Sequence, residues 1–237
     1  MKNQKKLSAL AFFIAVTATG NAQASLTNVG NGLVYDSNIN MTFTSDANLF
    51  KTLAASTLNL VSTITNASGL SSGQFNASTG QMDWFGAQAW ISYLNTINYA
   101  GHTNWNLPTT NLVNNNISLS NGYSQTGSPL GELFYSELGG EKNKNITATH
   151  NDNFNLFSNV PVSTAYWSGK SNSDTAAWYF DYTNGNQAYT AKTNMLYVLP
   201  VFASEVSVSS AIPVPGAIWL FGSGLIALLS FIKRRNF

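Results

Sequence analysis

The spacing of apolar and polar positions changes several times along this chain, and each change marks a new element. Gly32-Leu33-Val34-Tyr35-Asp36 and Met41-Thr42-Phe43-Thr44 are short, β-branched and aromatic, and read as two strands. Residues 51–63 fit one helix despite their serine and threonine content. A clearer amphipathic helix begins at Asp83, whose carboxylate suits an N-cap. Trp84, Ala87, Ile91 and Leu94 recur at helical spacing after it, and Trp90 widens the apolar face. Asn98 and Gly101 end that helix. Ser128-Pro129 opens another, a cap followed by proline at the first helical position. Leu130, Leu133, Phe134 and Leu138 form its buried stripe, and Gly139 closes it.

The last third of the body switches to a period of two. Trp178, Phe180 and Tyr182 alternate with Ala177, Tyr179 and Asp181, which gives one aromatic face. Asn184-Gly185 fits a two-residue type I′ hairpin turn, because both positions tolerate positive φ, and the return strand is then 187–191. Residues 195–202 are apolar on both faces and predict a central, buried strand. Strands, two helices and a C-terminal sheet in that order belong to the α+β class.

The two ends follow other rules. Lys2, Lys5 and Lys6 precede an apolar run over 7–16, and Ala22-Gln23-Ala24 places small residues where a signal peptidase reads them. Residues 1–24 therefore read as a secretory signal cut after Ala24. The run is too short for a membrane-spanning helix, which needs about 20 residues. Residues 216–232 carry no charge, and Lys233, Arg234 and Arg235 follow at once. As a helix this stretch covers about 25 Å, adequate for a thin membrane. Its basic end should stay cytoplasmic, which leaves everything upstream outside the cell. One exported domain over 25–203 and a small-residue linker over 204–211 complete the division, ahead of a tail at 212–237.

Charge and composition narrow the partners. The whole chain is +1, but residues 25–212 hold five lysines, ten carboxylates and no arginine, a net of −5. An acidic body argues against nucleic acid and against anionic lipid surfaces. The chain has no cysteine, which excludes disulfides, thiolate metal sites and cysteine nucleophiles. Five tryptophans between 84 and 178 argue that the body folds.

Candidate chemistry is sparse. His102 and His150 are the only imidazoles, neither has a partner at a telling spacing, and no Gly-x-Ser-x-Gly elbow occurs. No catalytic residue is assigned, and no enzyme is expected. Asn151-Asp152-Asn153 and Asp174 lie among oxygen-rich loops, yet the chain lacks the carboxylate spacing of a calcium loop, so no metal or other cofactor is assigned. Trp167, Trp178 and Tyr179 are candidate platforms for sugar rings, with asparagine and threonine side chains to hold hydroxyls. The competing reading makes the tryptophans core, since strand tryptophans usually pack inward. On alternating strand faces Trp178 and Tyr179 should not both point inward, which leaves one for a ligand.

Two resemblances add to this. Ile212-Pro213-Val214-Pro215-Gly216-Ala217-Ile218-Trp219-Leu220-Phe221-Gly222-Ser223-Gly224-Leu225, with the basic end, resembles the PEP-CTERM sorting signal in its Val-Pro-x-Pro variant. The signal's usual glutamate is absent, as in other members of that variant. The likeness implies that Pro213, Val214, Pro215, Gly216, Lys233, Arg234 and Arg235 are read by an exosortase. Such processing occurs in Gram-negative bacteria that make extracellular polysaccharide, and the anchor is then transient. In the body, Gly32–Asp36, Trp84, Gly101-His102-Thr103-Asn104-Trp105-Asn106-Leu107-Pro108-Thr109, Glu132-Leu133, Tyr166-Trp167-Ser168, Ala177–Phe180 and Tyr197–Val201 form an ordered motif series. That series resembles the domain family named for the C-terminal region of the Legionella collagen-like adhesin, over roughly 32–202.

The second likeness implies a C-type-lectin-like domain in which two helices flank a β core. Two positions depart from the family pattern, Asn106 and Leu199, each standing where the family usually has arginine. Were those arginines a buried structural pair with carboxylates, losing them together would be tolerable; were they ligand contacts, this chain has lost them. The expected function is a non-catalytic, adhesin-like module that binds polysaccharide or another matrix polymer at the cell surface or in the biofilm matrix. A self-associating coat or matrix protein is the alternative, and an exported hydrolase has the least support.

Overall fold

The computed structural model describes residues 25–111, 121–162 and 165–204. The expected secretory signal with Ala22 and Ala24, and the linker, sorting tail and 216–232 helix expected from the sequence, lie outside the described residues. Among the described residues no helix is long and apolar enough to cross a membrane.

In chain order the elements are β1 (Leu26–Gly30), β2 (Leu33–Asp36), β3 (Met41–Thr44), α1 (Leu49–Ser56), α2 (Leu60–Ser68), β4 (Phe75–Asn76), β5 (Gln81–Met82) and α3 (Trp84–Thr96). Then come α4 (Pro129–Glu132), α5 (Ile146–Thr149), β6 (Ala165–Ser171), β7 (Ala176–Asp181), β8 (Asn186–Ala191) and β9 (Val201–Ala203). Every strand pairing within the sheets is antiparallel. One sheet has the order β1-β2-β3-β9, another β6-β7-β8, and β4-β5 is a small hairpin. The α+β class holds.

The β layer has an apolar cluster on each face. Leu33, Trp167, Ala177, Val198 and Phe202 pack with α1, α2 and α3 through Phe50, Ile64, Trp90 and Leu94. Their chain neighbours Val34, Tyr166, Leu199 and Val201, with Phe43 and Phe180, pack with Leu130, Leu133 and Phe134 of the α4 region. Consecutive strand residues therefore feed different cores, as the period-two geometry of a strand requires when both faces are covered.

Local signals place the helices. The Asp83 carboxylate accepts from Gly86 N at 2.7 Å and caps α3. The Ser128 hydroxyl accepts from Gly131 N at 3.1 Å with Pro129 next to it, and α4 then widens into a π-helical turn over Leu133–Glu137. Gly139 follows with φ +74°, as the sequence predicts for that helix end.

Three expectations need correction. Residues 51–63 form not one helix but parts of two, because Thr57 is extended and Asn59 takes the left-handed conformation at φ 58°. The break leaves Leu58 88% exposed but lets Phe50 and Ile64, on separate helices, reach the same core. The β7–β8 connection is not a two-residue type I′ turn; Asp181 pairs with Asn186, leaving a four-residue loop. Asp181 organises it by accepting from Thr183 N, Thr183 Oγ1 and Asn184 Nδ2. The longer loop keeps Tyr182 in the core, where its hydroxyl donates to Leu130 O at 3.1 Å.

Residues 195–202, finally, are not one central strand. Leu196 bridges Met82, Tyr197 bridges Tyr166, and only Val201–Ala203 joins a sheet, as the neighbour of β3. Pro200 has no N–H to give a ladder, so the segment stitches several elements instead of running inside one. It is nonetheless buried from Val198 to Phe202.

Trp167 ties these parts together: it is fully buried, and its indole N–H donates to Met82 O at 2.9 Å. Trp167→Ala should cost about 3–5 kcal/mol of folding stability, and Trp167→Phe less, measured by urea denaturation.

Candidate functional site

The two alternating cores consume most aromatic side chains, so an open site must be sought where polar loops meet. One groove, of about 660 Å³, meets that description. Asn48, Lys51 and Thr52 at the start of α1 form one wall, and Ser78 and Thr79 of the β4–β5 turn border it. Asn159 to Val162 form the opposite wall, and Tyr197 contributes an aromatic ring. The lining thus offers amides, hydroxyls and one ammonium beside a larger apolar surface that includes Ala55, Val160, Pro161 and Val162.

Asp46 sets the width of this groove. One of its oxygens accepts from Asn48 N at 2.9 Å, fixing the entry to α1. The other accepts from Thr52 Oγ1 at 2.6 Å and Asn159 Nδ2 at 3.0 Å, which ties the two walls together. Reciprocal backbone bonds, Ala47 N to Ser158 O and Ser158 N to Ser45 O, support the same junction. Asn48 holds the third segment by donating from Nδ2 to Thr79 O at 2.9 Å. The opposite atom of that amide, Oδ1, is buried and has no hydrogen-bond partner. Gly80 lies against it at φ +89°, and a Cβ there would sit 1.8 Å from Asn48 Oδ1, so only glycine allows this approach. Lys51 is exposed and forms no ion pair among the described residues. Partial burial pushes the Tyr197 hydroxyl above the ordinary tyrosine range, so the ring meets a ligand as a neutral phenol.

The aromatic candidates fall elsewhere. Trp167 and Trp178 are buried, so neither offers a flat face to a sugar. Tyr179 is half-buried against the helix-side core and does not line the groove. Trp178 and Tyr179 do differ as the alternation of strand faces predicts, the first buried and the second half-buried. Trp178 is closed over by its cross-strand partner Tyr189, at 5.4 Å between ring centroids. Sequence reasoning missed Asn48, Lys51, Thr52 and Asn159. The cluster Ser45-Asp46-Ala47-Asn48 ahead of a helix was the available signal, but nothing local shows that residue 159 meets it.

The histidines pack as flat rings: His102 stacks on Phe202 at 4.2 Å and His150 on Phe154 at 4.1 Å. Asn151 and Asn153 both donate their side-chain amides to Glu137 O, which commits that loop to closing a helix end. Among the described residues no three acidic or imidazole side chains are grouped to hold a metal, and Asp152 and Asp174 are not brought together in one. Asn106 is exposed and exchanges backbone bonds with Val201, whereas Leu199 is core. The two positions that depart from the family's arginines therefore have opposite surroundings, which does not fit a single buried pair.

A second polar cluster lies inside the domain. Asp36 is fully buried on β2, with one oxygen accepting from Asn38 N at 2.9 Å and Oδ2 without a partner. Glu137, also buried, accepts from Asn38 Nδ2 at 2.7 Å and from the Ser25 hydroxyl. Burial, and then the negative charge of Glu137, push the Asp36 carboxyl up to about 6, with Glu132 adding to the effect.

An antiparallel α+β domain with two cores and a loop-built groove, and with no group of metal-ligating side chains among its described residues, defines a class of module. A family model described as the Lcl C-terminal domain matches residues 32–202, and the chain belongs to that family. Comparison with curated proteins gave no match.

The acid cluster makes a pH prediction for a chain in which residue 24 remains attached to Ser25. Because the folded-state pKa of Asp36 is raised above its unfolded value of 3.8, its stabilising effect is complete at low pH and is lost as pH rises toward 6. The loss should amount to about 2 kcal/mol between pH 4 and pH 7, read from urea midpoints. Asp36→Asn should flatten that profile.

Proposed function

We propose that this protein is an exported, adhesin-like surface or matrix module that binds polysaccharide or another matrix polymer without catalysis, through the groove between α1 and the Asn159–Val162 loop. The observation that carries this reading is the lining itself. Amide, hydroxyl and ammonium groups converge there beside one tyrosine, with a buried amide oxygen left unpaired. Neutral sugars are recognised by this combination of hydrogen-bonding groups and a flat apolar face. Membership of the Lcl C-terminal domain family supports an adhesin-like role. The arrangement of helices around antiparallel sheets is compatible with the C-type-lectin-like architecture that the motif series implies.

The address is part of the same proposal. Signal peptidase removes 1–24, the helix at 216–232 holds the chain in the inner membrane with its basic end cytoplasmic, and an exosortase-type protease reads the PEP-CTERM tail. The mature domain then reaches the cell surface or extracellular matrix of a Gram-negative bacterium. The opposite signs of body and tail support this order, since an acidic body has no affinity for the anionic inner leaflet.

Lys51→Ala combined with Asn159→Gly should weaken glycan binding by at least about tenfold; Asn159→Gly also removes the bond to Asp46 and lowers the thermal midpoint slightly, whereas Lys51→Ala alone leaves it nearly unchanged. Glycan-array binding and calorimetry on the purified exported protein measure this. Binding unaffected by the pair moves the ligand elsewhere, and concentration-dependent assembly without glycan binding favours a coat protein. Deleting the last 26 residues should abolish membrane retention and change the final location, followed by cell fractionation. An unchanged distribution overturns the sorting assignment.

A further inference from the structure

The buried pair Asp36 and Glu137 presents an unsolved charge problem. Two carboxylates occupy one interior site, and Glu132 on the same helical segment adds to the negative potential there. Buried charge of one sign requires a counter-ion or a proton. The body has no arginine, and its five lysines are engaged elsewhere or exposed. Lys144 pairs with Glu141, Lys142 lies over Tyr123, Lys192 lies over Trp84, Lys51 lines the groove and Lys170 is exposed on β6. Among the described residues no side-chain cation forms an ion pair with either carboxylate.

One further cation is available once the leader is removed. Ser25 is the residue after Ala24, and its hydroxyl donates directly to Glu137 Oε2. Its position is fixed by the strand that follows. Leu26 pairs with Asp36, and Ser25 O accepts from Ser37 N at 2.9 Å and Ser37 Oγ at 3.2 Å. In any serine the backbone nitrogen lies within about 4 Å of its own Oγ, so the Ser25 nitrogen is held within roughly 6 Å of the Glu137 carboxylate. While residue 24 is attached, that nitrogen is a neutral amide. After cleavage it is an ammonium with three donors.

We infer that the α-ammonium of Ser25, created by cleavage after Ala24, is the built-in counter-ion of the Asp36–Glu137 carboxylate pair, so that removal of the leader completes the interior electrostatics of the domain. Hydrolysis of the Ala24–Ser25 peptide bond by water supplies a carboxylate to the departing leader and the amine to Ser25; nothing else is consumed. The precursor is thereby less stable than the mature chain, as suits a polypeptide that must cross a membrane unfolded. The inference rests on the secretory reading of residues 1–24.

The test uses the full chain exported by a Gram-negative host and purified in detergent, with and without Gly-Gly inserted between Ala24 and Ser25. The insertion keeps the cleavage site and moves the new amine about 7 Å away. N-terminal sequencing, thermal midpoints and the Glu137→Gln substitution in both backgrounds complete the cycle. The expected result is a start at Ser25, a midpoint lowered by roughly 4–8 °C on insertion, and most of that difference lost in the Glu137→Gln background. Should Glu137→Gln not fold, the pH dependence of selective α-amine acetylation serves instead. The amine at Ser25 should titrate above the ordinary range of about 7.7–8.0, and the displaced one within it. A start at another residue overturns both the processing assignment and the pairing. A start at Ser25 with equal midpoints, with the same drop in both backgrounds, or with an ordinary amine titration, overturns the pairing alone.

Discussion

The β layer has to be apolar on both faces, and the other features of the fold follow from that requirement. A sheet with one solvated face alternates greasy and polar residues; this one places Leu33 and Val34, Tyr166 and Trp167, or Val201 and Phe202 side by side and sends each neighbour to a different core. The α1–α3 helices cover one face and the α4 region covers the other. Each fully buried aromatic is worth several kcal/mol of transfer free energy, which offsets the ordering of a long, loop-rich chain. The indole and phenol groups at these positions are mostly satisfied by backbone carbonyls. Trp167 donates to Met82, Trp105 Nε1 to Tyr99 and Tyr182 to Leu130, so burying the rings also fixes the loops they bond to.

That arrangement explains which features are legible in the sequence and which are not. The starts of α3 and α4 are legible because their caps are local: Asp83 and Ser128 bond to atoms three residues away. The strands at 33–36 and 41–44 are legible because they are short and strongly β-forming. The break between α1 and α2 is not, since Asn59 adopts a left-handed conformation only because Leu60 and Ile64 gain a core on the far side. The Tyr182 loop is fixed by Leu130, 52 residues away, and overrides the turn that Asn184-Gly185 would otherwise make. Trp167 and Trp178 are buried, in accord with the core reading of strand tryptophans, while Tyr179 stays half-buried.

Charge is the second constraint, and here composition is the guide. Only 9% of the chain is charged, so folding and solubility depend on neutral polar groups. Interior charges are consequently few and each has a visible solution or a visible deficit. Lys192 is buried with its ammonium 4.5 Å from the centre of the Trp84 ring and bonded to Asp174 O, a cation satisfied by an aromatic face and a carbonyl. Asp36 and Glu137 have only neutral donors, from Asn38, Ile39 and Ser25, among the described residues.

Asparagine links the fold to the groove. Among the described residues, six of the eight non-glycine residues with positive φ are asparagines, so this residue supplies most of the left-handed turns that glycine does not. A left-handed asparagine keeps a side chain where glycine has none, and that side chain remains free to bond across a junction. Asn159 does both: its backbone turns the loop at φ 55°, and its amide donates to Asp46 at the mouth of the groove. Asn48 behaves comparably at the helix start, spending Nδ2 on Thr79 and leaving Oδ1 unpaired. With most aromatic residues committed to two cores, Tyr197 is the one ring among the described residues that lines the groove, beside amides and hydroxyls. The groove is therefore assembled from loops distant in sequence, with its polar groups supplied mainly by turn residues.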